Sequence, residues 1–290
     1  GGGRCFVSGL SKTGGMQGLV DGQVLSQGDY QAFQQFLQEA CGIVLGGGKE
    51  YLVSNRLGSL MRQYGVATVG ELLRQLRTGA NPRLRNSIID AMTTNETYWF
   101  RDPAHYRLLR EKILPELALS SPQRLRFWSA ACSSGQEPYS MSMAVHEHQQ
   151  ANPGQLKAIV EILATDISSS MLDEARKGHY CGISVSRGLE PDQQESYFSV
   201  RGNCLEVRPE IKRRVSFREF NLTRGYELLG RFDVIFCRNV LIYFSNAQKQ
   251  NILNRMARIL NPGGYLFLGS TESLTAHSHE FEMVSDLGGI

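Results

Sequence analysis

The sequence predicts an α/β protein: a parallel sheet with helices on both faces, a small antiparallel β insert, and a small all-helical domain ahead of them. Three observations predict it. Helical periodicity without strands fills residues 29–92. From about residue 125, short apolar runs alternate with helical stretches, the pattern of strand–helix–strand units. Between about 183 and 215 that alternation gives way to glycine, polar residues and short β-like runs. A chain of 290 residues fits about two domains. With 41% hydrophobic and 20% charged residues, disorder as the main state is excluded. The net charge of +3 permits an acidic partner but is too weak to argue for bulk nucleic-acid binding. No apolar run approaches the roughly 18 residues of a membrane span.

Taken in order, residues 1–28 hold nine of the thirty glycines and no periodicity, which reads as a disordered tail or appended remnant. No signal-peptide core is visible there. Asp29 is the expected N-cap of a helix carrying Phe33, Phe36, Leu37 and Ala40, stopped at Gly42. A second helix spans about Tyr51 to Tyr64, and Thr68 with Glu71 has capping-box spacing ahead of a third. A fourth covers Pro82 to Met92. Residues 93–124 read as a linker and first helix, and 125–290 as the α/β domain. Its strands are expected at Leu125–Trp128, Ile159–Ala164, Phe232–Cys237 and Tyr265–Leu268, with a long helix from Asn246 to about Leu260. The insert carries β-like runs at Ser196–Val200 and Cys204–Val207.

Cys5, Cys41, Cys132, Cys181, Cys204 and Cys237 form no Cys-x-x-Cys pair, which favours reduced thiols in a cytosolic protein. His146-Glu147-His148 lacks zinc-helix spacing, and no metal site is expected.

Four stretches carry chemistry. Phe127 to Pro138 runs from a strand through small residues and Gly135 into a helix start, where free N–H groups and the dipole favour a ligand. A plain tight turn explains the same residues. Asp166 ends the second strand, where an acceptor-only carboxylate matches the paired hydroxyls of a ribose; an N-cap role is the alternative. Together these imply a nucleoside ligand, without separating a dinucleotide from S-adenosylmethionine. Residues 91–103 crowd Thr, Asn, Glu, three aromatics and Arg101 between the domains, either as a site lip or as an aromatic cluster joining them. Arg238 and Asn239 follow a buried strand at the ligand-facing edge, with Tyr243 nearby as a site residue or a core tyrosine.

Thr94-Asn95-Glu96-Thr97 with Phe100-Arg101, Ser129 through Ser140, Thr165-Asp166-Ile167, and Phe236 through Phe244 resemble the chemotaxis receptor methyltransferases, the CheR family. Order and spacing match over about 29–290. The resemblance implies a Rossmann-like S-adenosylmethionine-dependent methyltransferase domain. It further implies methyl transfer to glutamates on cytoplasmic helices of chemotaxis receptors, with S-adenosyl-L-homocysteine as the other product. Asn95, Thr97, Arg101, Glu137, Asp166, Asn221, Leu222, Arg238 and Asn239 match the cofactor-binding positions. Asp166 would hold the ribose, Glu137 and Arg101 the methionyl end, and Asn221 and Leu222 the adenine. Arg101 and Tyr243 match the positions nearest methyl transfer. The chemistry is self-consistent: a glutamate carboxylate is ionised at neutral pH, so no general base is required. Opposite charges vanish as the methyl moves, so a water-excluding site favours the transition state.

Between Tyr51 and Ile88 six arginines face one acid, Glu71, a local +5 that suits acidic receptor helices, although a solvated face would look alike. Arg56 and Arg62 lie on the helix matching the family's receptor-docking helix. The turn between Phe198 and Leu205 is short, which implies docking without a receptor C-terminal peptide. The family's last strand would continue at about Ile290, leaving the final sheet edge unassigned. A cytoplasmic monomer recruited to membrane receptor arrays, without membrane insertion, is expected. The alternatives are a methyltransferase of RNA, against which the weak net charge argues, or of a small molecule, which would need a closed pocket, and a non-catalytic cofactor-binding adaptor, against which Arg101 and Tyr243 argue.

Overall fold

The computed structural model describes residues 19–20, 23–79, 81–272 and 280–284. Two short strands, β1 (Leu19–Val20) and β2 (Gln23–Val24), pair antiparallel within the expected tail; its earlier residues lie outside the described ones. The helical domain follows as α1 (Gln27–Cys41), α2 (Glu50–Gln63), α3 (Val69–Thr78) and α4 (Pro82–Met92). The start of α1 corrects the expectation for Asp29. Ser26 is the cap, its hydroxyl accepting from the Asp29 amide at 3.0 Å, while Asp29 sits in the first turn where its charge meets the helix dipole. Thr68 caps α3 as expected, accepting from the Glu71 amide at 3.1 Å. Phe33, Leu37, Leu57, Met61, Leu72 and Leu84 recur at helical spacing and are fully buried together.

A helix follows from Pro103 to Ala118, as α5 (Pro103–Leu108), a π turn over Leu109–Ile113, and α6 (Leu114–Ala118). Then come β3 (Arg124–Ser129), α7 (Gln136–Ala151), β4 (Ile159–Asp166) and α8 (Ser169–Lys177). The insert comprises β5 (His179–Cys181), α9 (Pro191–Tyr197), β6 (Phe198–Arg201), β7 (Cys204–Val207) and α10 (Pro209–Lys212). The chain returns as β8 (Val215–Glu219), β9 (Phe232–Cys237), α11 (Asn246–Ile259) and β10 (Leu260–Leu268).

The main sheet is parallel, in the order β10-β9-β3-β4-β8. Period-two alternation sorts its side chains. Leu125, Phe127, Val234 and Phe236 pack under α5–α7, whereas Trp128 and Ile235 point to α11 through Ile252, Leu253 and Met256. Since β4 and β9 flank β3 on opposite sides, the chain reverses its winding between β3 and β9. In such sheets ligands bind at the carboxyl ends of those strands.

The small sheet runs β5-β7-β6, all antiparallel, with a turn at Gly202-Asn203 joining β6 to β7. It begins at His179, four residues before the expected insert, because β5 has only three residues and no legible alternation. β8 was not foreseen either. It is an edge strand in which only Val215 and Phe217 are part-buried, so its apolar signal is weak. The expectation of reduced thiols is corrected at two positions: Cys181 and Cys204 are joined as a disulfide, their Cα atoms 4.1 Å apart. Sheet register makes them direct cross-strand partners despite a separation of 23 residues. Cys41, Cys132 and Cys237 are free and buried; Cys5 and the last strand expected near Ile290 lie outside the described residues.

The two domains meet closely. The Val44 amide donates to the Tyr243 carbonyl at 2.9 Å, and the Asn221 side-chain amide donates to the Ala40 carbonyl at 2.9 Å. Gly42 ends α1 with φ +77°, and a Cβ there would lie 2.5 Å from Thr223 Cγ2 and 2.9 Å from the Phe244 ring. Gly42→Ala should therefore destabilise the protein by ~2–5 kcal/mol, combining a left-handed penalty of ~1–2 with overpacking of ~1–3. Denaturant unfolding measures it; an unchanged midpoint would show that the seam can relax.

Candidate active site

The cleft forms where β3 and β9 end. After Ser129 the chain is laced to both neighbouring strands: the Ala130 amide donates to the Phe236 carbonyl at 2.8 Å and the Cys132 amide to the Thr165 carbonyl at 2.9 Å. Ala130, Ala131 and Ser133 leave their small side chains along the cleft. Cys132 turns away into a cluster with Ala164 and Leu172, where burial pushes its thiol pKa up and so disfavours the reactive thiolate. Gly135, at φ 100°, starts α7. Glu137 in its first turn accepts from Ser129 Oγ at 2.7 Å and lies 3.5 Å from Arg238. Burial raises the pKa of Glu137, and the neighbouring Arg238 opposes that rise.

Asp166 closes β4 and is 8% exposed. Its Oδ2 accepts from the Ser133 amide and its Oδ1 from the Ser168 amide, both at 2.9 Å. Burial raises its pKa, and those amide bonds oppose the rise. The cap of α8 is Ser168, not Asp166, so the carboxylate is oriented by backbone amides while it lines the cleft.

The segment between the domains divides its labour. Trp99 and Phe100 belong to the core. The Trp99 indole donates to the Val185 carbonyl at 2.8 Å and meets Tyr180 and Phe198 edge-on, and the Phe100 amide donates to Ser140 Oγ at 3.0 Å. The aromatic cluster thus anchors the segment, and its polar residues Asn95, Thr97 and Arg101 line the cleft. The Asn95 carbonyl accepts from Ser133 Oγ at 2.9 Å, joining this lip to the turn after β3.

Arg238 is 4% exposed and is the hub beneath the cleft. One of its terminal nitrogens donates to the Arg101 carbonyl and, at 2.8 Å, to Asp102 Oδ2; the other faces Glu137 and the Tyr106 hydroxyl. Its Nε is buried and has no hydrogen-bond partner among the described residues. Asn239, at φ 59°, and Tyr243, on a 3₁₀ turn over Leu241–Tyr243, also line the cleft. Asn221 and Leu222 reach it from the far wall. The side chain of Asn221 is engaged elsewhere, by Ala40 and Thr223, which the sequence could not reveal.

Every expected site residue except the docking pair therefore borders one cleft enclosing about 980 Å³ of non-atom space, its mouth included. Of that pair, Arg62 is exposed on α2, whereas Arg56 is half-buried and donates to the Met92 carbonyl at 3.0 Å. Arg56 thus also ties α2 to the end of α4. One residue went unnoticed. Glu272 accepts from the amides of Asn239 at 2.6 Å, Leu241 at 2.8 Å and Gly269 at 2.9 Å, fixing the loop that carries Asn239 and Tyr243. An acid shortly after β10 at the ligand-facing edge was the available signal. The cleft presents buried carboxylates at Asp166 and Glu137 with guanidinium groups at Arg101 and Arg238. That balance fits a zwitterionic nucleoside.

Residues 28–93 match the family model for the CheR methyltransferase all-alpha domain, and residues 95–288 that for the CheR methyltransferase SAM-binding domain. The chain is 50% identical over 264 residues to chemotaxis protein methyltransferase 1 of Pseudomonas aeruginosa, covering 90% of this chain and 96% of the relative. It is 50% identical over 267 residues to chemotaxis protein methyltransferase 1 of Vibrio cholerae, covering 92% and 96%. To the chemotaxis protein methyltransferase of Salmonella typhimurium it is 35% identical over 265 residues, covering 89% and 88%. With both domains matched in order, and with the cleft at their seam, the chain belongs to the CheR family of S-adenosylmethionine-binding chemotaxis methyltransferases.

Proposed function

We propose that this methyltransferase esterifies glutamate side chains on the cytoplasmic helices of chemotaxis receptors. The carrying observation is convergence: ten positions from Asn95 to Tyr243, distant in sequence, border one cleft, and no histidine lines it among the described residues. A cleft without an imidazole base suits a nucleophile that is already an anion.

When bound, S-adenosylmethionine supplies an electrophilic methyl group on a cationic sulfur. Asp166, pinned by two amides, keeps lone pairs for the ribose hydroxyls. Glu137 and Arg238 set opposite charges side by side for the methionyl ammonium and carboxylate, with Arg101 at the lip and Asn95 and Thr97 beside it. Leu222 and the main chain at Asn221 flank the adenine, and Asn239 lies across the cleft. Tyr243 and Arg101 orient the incoming carboxylate and help exclude water, which favours a charge-neutralising step.

Docking falls to the basic face of the helical domain, with Arg62 on α2 and without a receptor C-terminal peptide on the short-turned small sheet. Arg56 supports that face from within. The enzyme acts as a cytoplasmic monomer at receptor arrays. No helix among the described residues is long and apolar enough to cross a membrane.

The direct test incubates the protein with methyl-labelled cofactor and receptor cytoplasmic fragments. Base-labile label on glutamate is expected, falling in Arg62→Glu while cofactor affinity holds. Label on RNA, or cofactor binding without any transfer, would overturn the assignment. Asp166→Asn should raise the cofactor Kd roughly 10- to 150-fold, the worth of a hydrogen bond to a charged group at ~1.5–3 kcal/mol. Calorimetry on a variant of unchanged melting temperature reads it, and an unaltered Kd removes Asp166 from the site. Glu272→Gln leaves one acceptor oxygen for three amides. At ~1–3 kcal/mol for an amide left unsatisfied, kcat/KM should fall roughly 5- to 150-fold in a folded protein. Wild-type kinetics in that variant would show that the loop holds itself.

A further inference from the structure

A second cluster of chemically capable side chains lies on the small sheet, apart from the cleft. His179 and Cys181 are two residues apart on β5 and so project from the same face. Cys204 on β7 stands directly opposite Cys181. The ligand atoms of His179, Cys181 and Cys204 all lie within 4.8 Å of one another, with His179 Nε2 3.3 Å from Cys181 Sγ. His179 and Cys181 are exposed, and none of the three lines the cleft. In sequence they share no metal-binding spacing; antiparallel register assembles them.

We propose that, once the disulfide is reduced, His179, Cys181 and Cys204 form a three-ligand site for one thiophilic divalent cation of the zinc class. Reduction consumes two thiol equivalents of the glutathione type. One attacks a protein sulfur as thiolate to form a mixed disulfide and expels the other protein sulfur as thiolate; the second attacks the small-molecule sulfur of that mixed disulfide and expels the remaining protein thiolate. Two protein thiols and one small-molecule disulfide result. Cation binding then releases the two thiol protons, and the thiolates cancel the dication's charge. Neutral His179 supplies the third donor, and water completes the tetrahedron.

The donor distances suit that geometry. Metal–sulfur bonds of ~2.3 Å and metal–nitrogen bonds of ~2.0–2.1 Å at tetrahedral angles put donors roughly 3.5–3.8 Å apart. The three atoms need only short side-chain adjustments to reach this, chiefly the parting of the two sulfurs. Two thiolates with an imidazole select a soft or borderline cation over magnesium or calcium. The disulfide and the cation are alternative staples between β5 and β7, so oxidation expels the metal.

Cobalt(II) is the probe, added to chemically reduced full-length protein. One cobalt per chain is expected, with sulfur-to-metal charge-transfer absorption in the near ultraviolet and ligand-field bands of a tetrahedral ion. Zinc(II) should displace it, and reoxidation to the disulfide should abolish uptake. Cys181→Ser and Cys204→Ser should each lose the charge-transfer band, whereas Cys5→Ser should retain it. Even outer partners of a metal are worth about 10- to 100-fold in affinity, so His179→Ala should weaken binding by at least that. Reduced wild-type protein that takes up no cobalt through sulfur overturns the proposal. So does uptake that survives either cysteine substitution on the small sheet, or affinity unchanged in His179→Ala.

Discussion

A single buried guanidinium organises this molecule. Arg238 emerges from the end of β9 and reaches the segment before α5 through Arg101 and Asp102, and the first turn of α7 through Glu137. Its charge is almost wholly removed from water, so each anionic neighbour is needed to offset the desolvation. Removing one partner from such a knot typically costs ~3–5 kcal/mol, because the remaining charge is stranded. Beside it Phe100 and Asp102 both adopt positive φ, uncommon for a bulky residue such as Phe100. The lip of the cleft is therefore held in place by the same ion that forms its floor.

Around this hub the architecture divides its tasks cleanly. The parallel sheet provides a crevice where its winding reverses, and small residues after β3 keep that crevice open. The helical domain closes one side, with Cys41, Ile43 and Met92 facing the sheet's loops. Glu272 secures the opposite rim without reaching the cleft. Preorganisation of this kind lets a site meet a charged ligand with oriented dipoles already in place.

Much of this was legible in the sequence, for identifiable reasons. The helix Pro82–Met92 and the strand Phe232–Cys237 fell where expected, because each pairs strong periodicity or apolar continuity with sharp punctuation. Cleft-lining residues were legible wherever they lay in runs tied to strand ends, as Asp166 and Arg238 do. What escaped depends on tertiary pairing. β8 is a half-exposed edge, Cys181 meets Cys204 only through sheet register, and Asn221 turns to Ala40 across 181 residues. Arg56 looked like a surface charge until its guanidinium was seen on the Met92 carbonyl. Local pattern carries no information about such partners.

The cleft lies between the helical domain and the sheet, and this gives any ligand bound there a mechanical part. A ligand in that cleft would touch both, so its binding energy would add to the Val44–Tyr243 and Ala40–Asn221 ties. At a hundredfold excess over its Kd such a ligand stabilises the native state by ~2.7 kcal/mol. Without a ligand spanning it, that seam would rest on the protein's own ties alone.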